Sequence, residues 1–417
     1  MIAVVHPTGN TFVRALVQAL EQGGGDYRLF TTIAMFSDSA ITRRLPSGLR
    51  QEMVRRDFGI PAARIQTQPW RECARLAARR LKWNRLVAHE SGWACLDAVC
   101  QNLDRMVARS LQADTVRHFK TVHAYEDCAL ESFRAARNRG VFCSYELPIA
   151  YWETSRNLLH EEAERYPDWT ATMIGTRNSD AKLERKTREL ELADLVVCPS
   201  RFVWNTLPPC VRGRKRCIVA PFGSPQGVRA RVTRPSNRNL RVLFVGTMTQ
   251  RKGLADLFAA MRMLGRKDVE LVVMGTPLQP MDFYRARCEN FTYKPPRSHG
   301  EALAIMEGCD VLVLPSIVEG RALVQQEAMA CGLPLIVTPN AGGEDLVEEG
   351  RTGFLVPIRS PQSIAERIDW LATHRQCLPD MADCARHKAE TVTWSQYTEA
   401  ILHEFRKDGS EQKRIAA

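Results

Sequence analysis

The chain has no apolar run near the ~20 residues that a membrane-crossing helix needs. Nor do any two of its 13 cysteines lie closer than Cys95 and Cys100. Without close pairs a zinc site of the usual spacing is excluded, and an odd, scattered count argues against a disulfide framework. Most of these cysteines are expected as small buried hydrophobes. No D-x-D pair is present to hold a divalent cation, so no metal is expected. Aromatic residues are scarce, at 7%, and none sit in an RNA-recognition pattern. A nucleic-acid partner is therefore not expected, despite a formal charge of +11. The opening MIAVV is too short for the apolar region of a secretion signal, which points to a cytoplasmic protein.

What is present is ordinary globular composition: 417 residues, 45% hydrophobic and 25% charged, enough for two or three domains with cores of their own. Short apolar strands alternate with helix-patterned segments, which predicts doubly wound α/β units. Strands are expected at 1–5, 28–33, 118–124, 141–145 and 194–198, with a helix from the turn HPTGN (6–10) to about Leu20. A long helical, Arg-rich stretch is expected over 48–112. Residues 221–239 are rich in Pro, Gly, Ser and Arg and read as a linker. The alternation then restarts, with strands at 240–245, 269–274, 291–293, 310–315 and 334–338 and helices at 253–264, 299–308 and 322–331. The expected division is 1–222 and 223–393, followed by an amphipathic helix from 394.

Charge is uneven. Residues 1–223 hold 33 basic and 24 acidic side chains, whereas 224–417 hold 25 and 23. The stretch 43–85 alone has 12 basic and 3 acidic residues. Within it RECARLAARRLKWNRL (71–86) reads as an amphipathic basic helix. Two readings stay open: peripheral contact with an anionic membrane or an acidic acceptor, or a solvated helix covering a core.

Two constellations carry chemistry. In 310–343 a strand ends at Pro315-Ser316, a loop carries Glu319-Gly320, and a helix begins near Ala322 with Glu327 two turns on. A glycine there permits close backbone approach, and a helix start offers N–H groups to an anion. A capping Glu and a surface Glu would leave the same spacing. In VGTMTQRKGL (245–254) a strand ends at Gly246, and Arg251 and Lys252 precede a helix, a setting suited to a diphosphate. The glycine spacing matches neither a dinucleotide fingerprint nor a phosphate loop.

The E-x7-E run EGRALVQQE, followed by AMACGLPLIVTPNAGG and preceded by VG-x5-KG, resembles the retaining glycosyltransferases of family four. The pieces HPTGN, VHAYED (122–127), YELPIAYW (145–152) and VAPFGS (219–224) resemble a bacterial subgroup of them. The resemblance implies a GT-B fold: two Rossmann-like domains facing across a cleft, with the helix at about 394–417 packing back on the first. It implies hexose transfer from a nucleotide-diphosphate sugar to a saccharide or glycolipid acceptor, with no cofactor or metal, in surface polysaccharide or glycolipid synthesis.

By the same resemblance Glu319 binds donor-sugar hydroxyls and Glu327 the ribose. Ser316, Gly320, Arg321, Ala322 and Leu323 form the loop and helix start around the distal phosphate. Lys252 neutralises the leaving diphosphate beside Gly246. Arg251 stands in for an arginine that follows the glycine in much of the family, where this chain has Thr247. In the first domain Gly9 approaches the donor and His123 the transferred sugar. Asn10, Glu126, Asp127 and Glu146 are acceptor-side candidates. Trp152, Trp169 and Trp204 are candidates to stack on an acceptor. No carboxylate nucleophile is identified, which implies front-face transfer with the departing phosphate taking the acceptor's proton, and closure hinged at 221–239 and the last helix. Competing readings are another GT-B enzyme, of epimerase or phosphorylase type, and a catalytically silent sugar-nucleotide-binding module.

Overall fold

The computed structural model describes residues 1–36, 56–113, 118–228 and 239–415, with side chains up to 408. Residues 43–55 of the basic stretch and 229–238 of the expected linker lie outside the described residues. Seven parallel strands form the first sheet: β1 (Ile2–Val5), β2 (Tyr27–Thr31), β3 (Ile65–Thr67), β4 (Thr121–Tyr125), β5 (Phe142–Glu146), β6 (Leu195–Cys198) and β7 (Arg216–Val219), in the order β3-β2-β1-β4-β5-β6-β7. Six more form the second: β8 (Leu240–Val245), β9 (Val269–Met274), β10 (Thr292–Lys294), β11 (Val311–Leu314), β12 (Leu335–Val337) and β13 (Gly353–Leu355), in the order β10-β9-β8-β11-β12-β13. Every strand pair is parallel.

Strand alternation divides the first core. Ala3, Val5, Val122 and Ala124 face one helical layer, and Val4, Leu29 and Val197 face the other. The second layer includes Tyr397, Ile401 and Phe405 of the final helix (Trp394–Ile415), which therefore packs on the first sheet after the second sheet is complete. The chain crosses between the sheets twice, and the crossings touch. Ser224 N–H donates to Val392 O at 2.8 Å, and a Cβ on Gly223 would lie 2.3 Å from Trp394 N.

Two features depart from expectation. The stretch 48–112 is not one helical run. Pro61 and Pro69 interrupt it, β3 forms between them, and helices follow at Trp70–Arg80 and Leu96–Ala113. The second departure is the segment after β5. A helix at Trp152–Arg165 and 3-10 turns at Pro167–Thr172 and Ile174–Arg177 precede the last first-sheet strands, yet the helix and the first turn pack against the second domain. Trp169 is 3% exposed and lies among Phe258, Phe283 and Tyr284 of the second core, while Trp152 donates to Thr187 and Trp204 receives Arg201 and Arg212 on its ring. Stacking on an acceptor is thus corrected for Trp169, whose ring is enclosed by apolar neighbours.

A buried polar network seals this contact. Glu162 accepts from Gln250 at 2.6 Å and pairs with Arg359, Arg165 pairs with Asp256 at 2.8 Å, and Thr249 donates to Thr172 O at 2.7 Å. Each buried charge has an opposite partner, as burial demands.

Candidate active site

Strand order reverses between β1 and β4 and between β8 and β11. Open parallel sheets bind ligands at the carboxyl ends of strands at such switch points. At the second switch point the loop after β8 and the loop after β11 are locked together. Gly253 takes a left-handed φ of 74°, and a Cβ there would lie 2.0 Å from Pro315 O. Ile317 and Val318 N–H groups both donate to Arg251 O, at 2.9 and 3.2 Å, and the Arg251 guanidinium donates back to Val318 O at 2.8 Å. The Lys252 stem lies across Gly246, where a Cβ would be 2.7 Å from its Cδ.

This arrangement brings together Glu319, Lys252 and Arg251. Lys252 Nζ is 2.6 Å from one carboxylate oxygen and Arg251 Nη1 3.1 Å from the other. Burial alone would raise the Glu319 pKa, but the charges of Lys252 and then Arg251 overcome it and pull the group down to about 2. Two cations and one anion leave a net charge of +1 in a partly enclosed site. Ser316, just before, is fully buried, and its Oγ has no hydrogen-bond partner among the described residues.

The other residues around the E-x7-E run divide. Glu327 is partly exposed on the helix Leu323–Ala330, 3.5 Å from His299 Nδ1; burial raises its pKa, with His299 opposing. His299 opens its own helix behind the Ser298–Glu301 capping box and was not singled out in the sequence. Arg321 has its guanidinium turned inward to Asp345 (2.6 Å), Gly342 O and Gln326. The Ala322 N–H is spent on Ala341 O at 3.3 Å. Leu323 packs into the first-domain cluster that holds Phe12 and Phe222, which sets the helix start beside the helix that follows HPTGN.

Gly320 also lets the first domain approach closely, since a Cβ there would lie 1.7 Å from Pro148 O. Ser200 Oγ donates to Gly320 O at 2.7 Å from the same side. Gly320→Ala is expected to force these loops apart, at a cost of about 1–3 kcal/mol. Calorimetry on the variant checks this.

In the first domain the charged candidates are paired within the fold. His123 is fully buried within β4, bonded to Ser144 Oγ at 2.9 Å and 3.2 Å from Glu146, with Tyr125 and Phe405 against its ring. Glu146 accepts from Tyr397 OH at 2.9 Å on each oxygen, so it anchors the final helix instead of facing an acceptor. Glu126 pairs with Lys186 at 3.0 Å, and Asp127 with Arg185 at 3.2 Å, in a buried network on the helix Asp180–Leu192. Buried carboxylates need such partners, and these had them on elements distant in sequence. Gly9 and Asn10 do stand at the carboxyl end of β1 at its switch point, Asn10 exposed at the start of the helix Thr11–Gln22. Beneath them His6, not singled out before, is buried against Phe12 and Tyr125, with burial lowering its pKa to about 4. A histidine closing β1 inside the quoted HPTGN was the available signal.

Parallel sheets with this order, joined by a double crossing and a returning helix, define a GT-B scaffold, and the cation pair at the second switch point is suited to a diphosphate. Comparison with known proteins agrees. Residues 239–374 match the family described as glycosyl transferases group 1. Among curated relatives, the D-inositol 3-phosphate glycosyltransferase of Paenarthrobacter aurescens (strain TC1) is 28% identical over 207 residues, 44% of this chain and 51% of that one. The chain thus spans about half the length of that relative. Sucrose-phosphate synthase from Thermosynechococcus elongatus superposes with a TM-score of 0.68 over 98% of this chain and 99% of that one, at 17% identity. Anabaena HepE in complex with UDP superposes at 0.61 over 97% and 99%, at 15% identity.

Proposed function

We propose that the protein is a retaining glycosyltransferase. In this reading it moves a hexose from a nucleotide-diphosphate sugar to a saccharide or lipid-linked acceptor, without a metal, in surface polysaccharide or glycolipid synthesis. The observation that carries the reading is the Arg251–Lys252–Glu319 cluster at the β8/β11 switch point. On arrival of the donor, Lys252 and Arg251 turn from Glu319 to the diphosphate and stabilise charge developing on the leaving group. Glu319, released from its cations, accepts from the hexose hydroxyls, and Glu327 from the ribose, with Gly246, Ser316 and the Leu323 helix start around the phosphates. Gly9 and Asn10 form the facing wall.

The C1–O bond to the diphosphate breaks as the acceptor oxygen bonds to C1 on the same face, and the acceptor proton passes to the departing phosphate oxygen. The pairing of Glu126, Asp127 and Glu146 within the first domain supports this route, because none of them is left to attack C1. HepE is described with UDP and with UDP-glucose, which favours uridine donors as the first to test.

A thermal-shift screen of UDP-, GDP- and ADP-sugars in EDTA tests the reading. A donor at a hundredfold excess over its Kd stabilises by about 2.7 kcal/mol, a rise of several degrees. One nucleotide class should give it with wild type, and Glu327→Ala should lose it. No shift with any class would remove the reading.

A further inference from the structure

Eight large hydrophobic side chains are exposed among the described residues, and five of them, Trp70, Leu81, Trp83, Trp93 and Leu96, lie within 27 residues of sequence. The helix Trp70–Arg80 at their centre is inverted. Its inward face carries Glu72, ion-paired to Arg56 at 2.5 Å and Arg75 at 2.6 Å, both buried. Trp70, Cys73, Ala77 and Leu81, at helical spacing, form its exposed stripe. A surface helix ordinarily does the reverse.

The stripe continues into Arg79–Arg85, RRLKWNR, in which every residue is exposed and four are cations. No acidic residue occurs from Cys73 to His89. Lys82 ends the helix in the left-handed region, φ 56°, with Trp83 N–H reaching back to Ala78 O at 2.8 Å. Glycine is the low-cost residue for that position; here it is a cation set between Leu81 and Trp83.

The patch has a rigid backing. Arg71 lies over the Trp93 ring at 4.9 Å, Glu90 accepts from Ser179 N–H at 3.2 Å, and Asp97 pairs with Arg185.

We propose that this patch, Trp70–Leu96, is a docking surface for an anionic membrane interface. Exposed tryptophan and leucine ringed by arginine and lysine match the boundary between acyl chains and negatively charged headgroups. A second copy of the chain fits poorly, because a two-fold contact would set the cations of Arg79–Arg85 against their own copies with no acid between them. No helix among the described residues is long and apolar enough to span a bilayer, so the contact is peripheral. The patch is also wired to the cleft: Arg56, which holds Glu72, donates to Thr32 at 3.4 Å, and Thr32 donates to Pro7 O of HPTGN at 2.5 Å. Presentation of a lipid-linked acceptor to that turn rests on the transfer reading; docking itself does not.

Sedimentation of the full chain with vesicles tests the proposal. Retention is expected on phosphatidylcholine containing about one-third phosphatidylglycerol, but not on phosphatidylcholine alone, with a blue shift in tryptophan emission. Neutralising Arg79, Arg80, Lys82 and Arg85 to Gln, or combining Trp70→Ser with Trp83→Ser, should each weaken retention about tenfold or more. Lys82→Gly should raise Tm by relieving the backbone while lowering retention, a split that a purely structural role would not give. The donor thermal shift should survive in all three variants, which separates failure here from failure of the transfer reading. Absence of retention at low salt, retention indifferent to the tryptophan changes, or a dimer that Trp70→Ser dissolves would each overturn the proposal.

Discussion

Lys252→Ala is expected to slow sugar transfer by about two to three orders of magnitude, the usual cost of deleting one preorganised group that faces developing charge. The loss should fall on kcat more than KM, since charge on the diphosphate grows as the C1–O bond breaks. The variant also exposes the balance around Glu319. With its pKa drawn to about 2, against the usual carboxylate value near 4.3 in the unfolded chain, this group adds stability that is fully present above about pH 5. That stability disappears as pH falls toward 2, and amounts at most to about 3 kcal/mol. Without Lys252, only Arg251 opposes the burial, so the Glu319 pKa rises and the stability-linked step weakens and moves to higher pH. Unfolding titrations from pH 7 to 2 on both proteins check this alongside the kinetics.

Trp169→Ala is expected to remove about 3–5 kcal/mol, lowering Tm by about 10 °C, because it empties an aromatic site enclosed by Phe258, Phe283 and Tyr284. The acceptor KM, measured well below the new Tm, should stay within about twofold, since the ring lies in a core and not against a sugar. A raised KM with unchanged stability would instead return Trp169 to the acceptor. The segment carrying Trp169 bears on domain motion too. Glu162, Arg165 and Thr172 are bonded to Arg359, Asp256 and Thr249, so any closure must either break a sealed network or carry residues 152–177 with the second domain.

Five of the six strands of the second sheet were legible in the sequence to within about two residues. Its strands β8, β9 and β11 are apolar runs broken only by Arg241 and Glu270, close to the pattern of strands covered on both faces. The short edge strands β3, β7 and β13 were not read; IQT, RCIV and GFL are too brief to show a period. In the site, Arg251, Lys252 and Glu319 could be named because each sits in a motif at a strand end. That Lys252 and Glu319 lie 2.6 Å apart depends on two loops meeting across 67 residues.

Five of the candidates have inward partners that local sequence does not show. His123, Glu126, Asp127, Glu146 and Arg321 are polar residues beside strand ends, and local pattern cannot tell a group facing a cleft from one paired inward. Their partners Ser144, Lys186, Arg185, Tyr397 and Asp345 lie on other elements. The basic helix was only half legible. Its charge was visible, but its inverted burial follows from Arg56, which precedes β3 and reaches Glu72 through the fold.

Calorimetric titration of UDP, GDP and ADP into wild type and Lys252→Ala, in EDTA, tests the diphosphate clamp most directly. The account predicts saturable binding of at least one of them by wild type and binding at least tenfold weaker by the variant, since a close charge–charge contact in a partly enclosed site is worth more than 1.4 kcal/mol. Binding of equal strength by both proteins, or by neither, would contradict it.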